Sequence, residues 1–287
     1  MEKEILTKEN YASNHYYMSY SRFRRFLHCE ASAAAGYHEP PTPSLLIGSY
    51  VDAYFSNELE EFKTEHPEIF KKDGTLKADF IMCDSLIERI NSDETFLHYL
   101  SGEKQCIMTG TIDGVPFKIK MDSYIENEAI VDLKVMKDFA KVWSDTFNRY
   151  TNFIEAYDYD IEMAIFQEIC YQNTGKRLPV YIVAITKETP SDIGIFQLSQ
   201  TILDRALNLV KEYLPRIKKI LNGELAPTRC EKCSYCRSTK KAKVIQIDEE
   251  DDFELIGASG DKLREEGYDC SDPKLIKEEK DALEESN

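Results

Sequence analysis

Asp122, the triplet Asp132-Leu133-Lys134, and the pair Gln167 and Tyr171 form an ordered set of residues that could do chemistry. The first acid lies in one expected strand, and the acid-x-lysine triplet begins ten residues later in the next. A helix follows that carries Gln and Tyr four apart, hence one turn apart on one face. Two carboxylates suit a hard divalent cation. A lysine beside them faces the water that such a cation activates. With the polar groups of the helix added, the set is equipment for hydrolysing a phosphodiester.

The elements must bring these residues together. Side chains alternate along a strand, so Asp132 and Lys134 share a face, roughly 6–7 Å apart at the backbone. Residues 122 and 132 are symmetric about Asn127. A tight turn at Glu126-Asn127-Glu128 therefore makes them neighbours across an antiparallel ladder. Ala129, Ile130 and Val131 lead into Asp132, which marks a central strand and a partly buried carboxylate. Such a group is costly unless a cation or hydrogen bonds compensate. Alone, an Asp-x-Lys on a strand is usually a surface ion pair, and Gln167 with Tyr171 is an ordinary tyrosine and partner. The order and register of the three segments favour the catalytic reading.

Three strands are expected at Gln105–Ile112, Val115–Tyr124 and Ala129–Val135, with turns at Asp113-Gly114 and Glu126–Glu128. Before them, Ser19 or Ser21 caps a helix running through Phe23, Phe26 and Leu27 towards the alanines at 31–35. Three prolines between His38 and Pro43 make a loop. A second helix runs from Ser44 to about Leu59, and residues 60–80 read as a surface excursion. Helices follow over about 78–89 and 95–100. After the strands come one continuous helix over 153–174, stopped by Gly175, strands at Val180–Thr186 and Gly194–Leu198, and a long amphipathic helix over Thr201–Leu221.

At these residues the sequence resembles the PD-(D/E)xK nucleases, and within them the RecB-like group. Asp122 matches the first acid, Asp132-Leu133-Lys134 the D/E-x-K triplet, and Gln167-Glu-Ile-Cys-Tyr171 the Q-x-x-x-Y motif. The general layout is similar to the nuclease domain of the phage-type RecE (exodeoxyribonuclease VIII) family. The resemblance spans about residues 19–240. It implies an α/β (α+β) fold with a restriction-endonuclease-like core, a central mixed sheet flanked by helices. It also implies Mg²⁺ or Mn²⁺ held by Asp122, Asp132 and the carbonyl of Leu133, with Lys134 orienting and helping to deprotonate the attacking water. The family places a metal-binding His on an upstream helix as Gly-x-x-x-His. Here Gly48-Ser-Tyr-Val-Asp52 keeps the spacing with an aspartate, a harder ligand that suits Mg²⁺.

Eight cysteines in a chain expected to be cytoplasmic should be thiols rather than disulfides. Three cluster as Cys230-Glu-Lys-Cys233-Ser-Tyr-Cys236 and suggest metal, but a closed site needs a fourth ligand. Cys29 is the candidate, with the neighbouring His28 as the alternative. Its segment, Ser21 to Cys29, resembles the N-terminal helix of iron–sulfur RecB-like nucleases, in which one N-terminal Cys joins three C-terminal ones. The spacing after the second Cys is shorter here than in that group. A 4Fe–4S cluster, zinc, and free thiols in a tight turn all remain open. Arg22, Arg24, Arg25 and His28 form a basic run, which reads as a solvated face or a phosphate contact.

The net charge of -16 is unevenly divided. From Asp248 onward there are 16 acids and five bases, which gives -11 and leaves -5 for residues 1–247. The expected organisation is a nuclease domain over 1–247, including the cysteine cluster, and an acidic, partly disordered tail over 248–287. No run of 18 or more apolar residues spans a membrane, and Met1-Glu2-Lys3-Glu4 precedes no apolar signal stretch. The expected activity is a Mg²⁺-dependent exonuclease acting on double-stranded DNA ends. The resemblance implies 5′→3′ polarity, a phage or prophage origin, a single-strand annealing partner and a homo-oligomer. The rivals are a non-catalytic DNA-binding scaffold on the same fold and a structure-specific endonuclease.

Overall fold

The computed structural model describes residues 6–40, 42–144 and 148–242. The expected tail and its boundary after residue 247, with Cys270, lie outside these residues. The chain divides into two compact units, Met1–Leu27 with Glu39–Ala226, and His28–His38 with Pro227–Asn287. Among the described residues no helix is long and apolar enough to cross a membrane.

The first unit begins with a short helix α1 (Lys8–Tyr11) and α2 (Tyr20–His28), which buries Tyr20, Phe23 and Phe26. The expected continuation of α2 breaks at Cys29, whose extended backbone instead caps α3 (Glu30–Ala34) of the second unit. Helix α4 (Pro43–Phe55) starts where Thr42 Oγ1 accepts from the amide of Leu45, with Pro43 in the first turn, where a missing N–H costs nothing. It stops short of the expected Leu59 because Asn57 turns left-handed, at φ +60°. The expected surface excursion instead contains α5 (Leu59–Glu65), a 3-10 turn at Pro67–Ile69 and a bridge between Phe70 and Leu76, and it buries Phe62 and Ile69. Helices α6 (Ala78–Asn91) and α7 (Glu94–Tyr99) complete this segment.

The sheet is formed by β1 (Glu103–Ile112), β2 (Val115–Ile125), β3 (Ala129–Met136), β6 (Val180–Thr186) and β7 (Ile193–Leu198), in the order β1-β2-β3-β6-β7. β3 and β6 are parallel, and the other neighbours are antiparallel. A parallel pair needs a crossover. It is supplied by the two-stranded ribbon β4 (Val142–Ser144) and β5 (Arg149–Thr151), α8 (Phe153–Ala156) and α9 (Tyr159–Thr174). A long α10 (Gln200–Leu221), capped by Ser199, packs on α9. This is the mixed central sheet flanked by helices that was expected.

Two local differences matter for the site. The expected continuous helix over 153–174 is broken at Asp158, which is left-handed at φ +61°. Tertiary contacts fix the break: Tyr20 Oη donates to the Asp158 carbonyl at 2.9 Å, and Arg24 Nε to its carboxylate at 2.9 Å. The ribbon β4–β5 was not foreseen, because three-residue strands carry too few alternations to read. On one sheet face Val131, Leu133, Val183 and Ile185 pack with α4, α6 and α7 in a single core. The opposite face of β1 and β2 lies against α9.

The second unit contains α3 and α11 (Ser234–Ser238), which pack together. Glu30 Oε2 accepts from the amide of Thr228 at 2.7 Å, and the amide of Ala31 donates to the Thr228 carbonyl at 3.0 Å. Its buried hydrophobic cluster consists of Cys29, Ala31 and Cys236, with Cys230, Cys233 and Tyr235 against it.

Candidate active site

The turn at Asn127, left-handed at φ +63°, sets the β2–β3 register. The pairs are Ile125 with Ala129, Tyr124 with Ile130, and Ser123 with Val131. The next position in that register would be Asp122 with Asp132, and there the ladder stops. The strands part, and Asp122 Oδ2 accepts from the amide of Leu133 at 2.9 Å. A side chain thus replaces a ladder bond. On the other edge of β2 the register with β1 skips Gln105, which stands opposite Asp122 with φ +52°. Both neighbours of Asp122 are therefore released from regular pairing.

Gln105 uses that freedom to reach α4. Its Nε2 donates to Ser56 Oγ at 2.9 Å and lies 3.3 Å from each carboxylate oxygen of Asp52. Ser56 Oγ donates to Asp52 Oδ1 at 3.4 Å. Asp52 is thereby oriented by two donors. Burial pushes its carboxyl above the usual range; Lys120 opposes that shift and Asp132 adds to it. Asp122 is pushed well up, by burial first and then by the negative charges of Asp52 and Asp132. The three acids therefore feel one another across the site, as like charges do when water is excluded.

Asp132 and Lys134 share a face as expected, and Lys134 Nζ lies 2.7 Å from Asp132 Oδ2. The approach lacks hydrogen-bond geometry, so this buried oxygen has an ionic neighbour and no hydrogen-bond donor. Lys134 Nζ also donates to Glu162 Oε2 on α9 at 2.9 Å and sits 4.5 Å from the centre of the Tyr159 ring. Burial alone would lower the ammonium pKa, but Asp132 and Glu162 overcome it and hold Lys134 firmly charged. Burial raises the Glu162 carboxyl to about 7, against the pull of Lys134.

Gln167 and Tyr171 are placed elsewhere. Gln167 is buried, donates to the Leu178 carbonyl at 2.9 Å, and exchanges hydrogen bonds with Gln200 at 2.9 and 3.1 Å. Tyr171 is exposed, with the Arg177 guanidinium 4.9 Å from its ring centre. Arg177 also reaches Gln167 Oε1 at 3.4 Å, so the two motif residues share one partner. Among the described residues neither bonds to the acids.

Glu162, Gln105 and Ser56 were missed by sequence reasoning. A signal existed for Glu162. It lies among Ile161, Met163, Ala164 and Ile165, with no base three or four residues away. A carboxylate so placed must find a distant cation.

The donor set can be tested against a divalent cation. Three carboxylates are hard oxygen donors, and Asp132 Oδ2 is buried without a hydrogen bond, so the residues fit Mg²⁺ or Mn²⁺. A strand residue sends its N–H and C=O to the same edge, so the Leu133 carbonyl leaves β3 on the side where its amide meets Asp122. The acids are nevertheless more widely spaced than the thiols. Among the described residues the group of possible ligands whose atoms all lie within 4.8 Å of one another is Cys29, Cys230, Cys233 and Cys236.

Comparison with known proteins fits this geometry. The family described as a PDDEXK-like domain of unknown function matches residues 19–239. A crystal structure described as “Putative exonuclease” from Eubacterium rectale is similar at 41% identity and a TM-score of 0.81, covering 85% of this chain and 97% of that one. A second, the crystal structure of SSO0001, aligns at 12% identity with a TM-score of 0.29, over 78% of this chain and 96% of that one, and carries no argument. Among curated proteins nothing matches.

Proposed function

The chain belongs to that PDDEXK-like family, and from this premise we propose that it is a divalent-metal-dependent exonuclease acting on the ends of double-stranded DNA. The observation that carries the reading is the constellation of Asp52, Asp122 and Asp132 around a charged Lys134, whose ammonium is the neighbour of the buried Asp132 Oδ2. The similarity to the Eubacterium rectale protein supports the nuclease class and the choice of exonuclease within it.

Asp122, Asp132 and the Leu133 carbonyl would hold the cation, with Asp52 completing the oxygen set in the place of the histidine expected by resemblance. When bound, Mg²⁺ or Mn²⁺ supplies Lewis acidity at the phosphate and lowers the pKa of its water. The residues of the chain do the rest. Gln105 and Ser56 fix the orientation of Asp52. The amide of Leu133 fixes Asp122. Lys134 presents a permanent positive charge beside Asp132, suited to orienting the attacking oxygen and to offsetting negative charge that builds on the phosphate. Glu162 keeps that ammonium in place from the other side. Gln167, Tyr171 and Arg177 form a separate polar group suited to the DNA strand away from the scissile bond.

The 5′→3′ polarity, the phage or prophage setting, the annealing partner and the homo-oligomer belong to the same proposal and rest on the resemblance to the RecE type; the cytoplasmic location is proposed with them as the default for such a nuclease. The test uses end-labelled linear duplex and covalently closed circles, each with and without Mg²⁺. Metal-dependent loss of label from linear DNA alone is the expected result. Nicked circles would point to an endonuclease. Binding without cleavage would point to a scaffold.

A further inference from the structure

The four cysteines of the second unit are independent of the nuclease reading. Cys29 Sγ lies 3.5 Å from Cys236 Sγ, and Cys230 Sγ lies 3.9 Å from Cys236 Sγ. All four sulfurs lie within 4.8 Å of one another. A disulfide needs about 2.0 Å, and these cysteines are free. Four thiolates on one tetrahedral zinc, each about 2.3 Å from the ion, stand about 3.8 Å apart. The observed separations bracket that edge. In a cubane each thiolate caps a different iron, so the sulfurs stand farther apart than four that share one ion. The geometry therefore departs from the iron–sulfur cluster that the resemblance implies.

We infer that Cys29, Cys230, Cys233 and Cys236 hold a single structural zinc ion. The backbone is arranged for thiolates. The amide of Cys233 donates to Cys230 Sγ at 3.3 Å, and that of Cys236 to Cys233 Sγ at 3.4 Å. Such bonds stabilise the charged form of sulfur, which is the form that binds metal. Arg229 holds the turn closed by donating to the Cys236 carbonyl at 2.5 Å and to Thr239 Oγ1 at 3.0 Å. Four protein ligands leave no open position, so the ion is structural rather than catalytic.

The second unit also needs the ion. Among the described residues its buried hydrophobic side chains are two alanines, Ala31 and Ala33, and two of the cysteines themselves. So small a core cannot offset the entropy of ordering the segments around residues 29 and 236, which are 207 positions apart. A metal that binds only the folded arrangement contributes its binding energy directly to folding.

The test uses the full chain, expressed with both iron and zinc supplied and purified without oxygen. The expected product is colourless, with about one zinc per chain. Replacing zinc with Co²⁺ should give the visible bands of a tetrahedral tetrathiolate site. Cys29→Ser and Cys236→Ser should each weaken metal binding at least ~100-fold. Cys233→His should retain zinc, since a Cys₃His site suits the ion equally. A brown protein with about four irons per chain overturns the inference in favour of a cluster. A thiol titre of the chain, denatured without chelator, that does not drop by four when zinc is resupplied, the other four cysteines counting in both states, overturns it in favour of free cysteines. Metal analysis and cobalt spectra of the unmutated chain decide the matter even if a serine variant fails to fold.

Discussion

Two ligand sets in this chain are organised in opposite ways. The thiols of the second unit converge, with all four sulfurs within 4.8 Å, and little else is buried around them. The acids of α4, β2 and β3 are spaced more widely and sit on a framework that is complete without them. Val131 and Leu133 bury one face of β3 in a large core, while Asp132 and Lys134 occupy the other. On the two proposals above, the difference separates two uses of a cation. A closed soft-ligand site supplies the stability its surroundings lack. An open hard-ligand site draws on surrounding stability, and it keeps charges raised in energy so that a cation and a phosphate are welcome there.

That contrast can be broken most directly at the acids. Asp132→Asn or Asp122→Asn should cut cleavage of linear duplex by at least ~100-fold. The metal-free Asp122→Asn protein should melt at the same or a higher temperature, because repulsion among the acids is relieved while the Asp132–Lys134 pair is kept. Wild-type cleavage by Asp132→Asn would remove the acid site from the mechanism. Lys134→Ala should reduce turnover by about 100-fold with DNA affinity in Ca²⁺ nearly unchanged. It should also destabilise the fold by about 3–5 kcal/mol, because Asp132 and Glu162 lose the cation between them. Loss of affinity with turnover intact would make Lys134 a phosphate contact only.

Asp52→Ala should approach the loss seen for Asp122, whereas Asp52→His should recover part of the activity with a preference shifted towards Mn²⁺. Full activity of Asp52→Ala in a Mg²⁺ titration would assign Asp52 a structural role. Glu162→Gln is a gentler change, expected to lower turnover by about 10-fold without altering KM, and Glu162→Asp should restore part of it. Equal loss in both variants would show that only the packing of α9 had been disturbed.

The smallest expected effect is on the pH dependence of stability. The fold raises Glu162 to about 7 and Asp160 to about 6, both mainly through burial. A raised carboxyl favours the protonated folded form, so its contribution is present at low pH and is lost as pH rises through the folded value. The melting temperature of metal-free protein should therefore fall between about pH 5 and pH 8. Added Ca²⁺ should recover more of it at the higher pH, where the acids are free to bind. A flat profile in calorimetry would mean that these carboxyls are solvated.

How much of this was legible follows from the range of each cause. The β2–β3 register was readable because it depends on a local turn, Asn127, and on the run Ala129–Val131 that fixes the buried face. The sharing of a face by Asp132 and Lys134 followed from strand alternation. The partner of Lys134 did not, because Glu162 arrives through the crossover between two parallel strands, and such pairing leaves no periodicity in the sequence. The break at Asp158 was hidden for the same reason: the hydrogen bonds that favour it come from Tyr20 and Arg24. Gln167 and Tyr171 lie one turn apart on α9, as their spacing requires. Their actual partners, Leu178, Gln200 and Arg177, lie beyond the end of that helix, where a helical pattern says nothing.

The bend at Asp158 has an electrical consequence. In an unbroken helix over 153–174, Glu162 would lie deep in the interior, with its backbone dipoles cancelling locally. Because α9 begins at Tyr159, Asp160 and Glu162 fall in its first turn. The aligned peptide dipoles of a 16-residue helix end there in partial positive charge, worth about 0.3–1 kcal/mol to a nearby carboxylate. A single left-handed residue thus sets the positive pole of α9 at Asp160 and at Glu162, the partner of Lys134, and a phosphate at the proposed site would meet the same field.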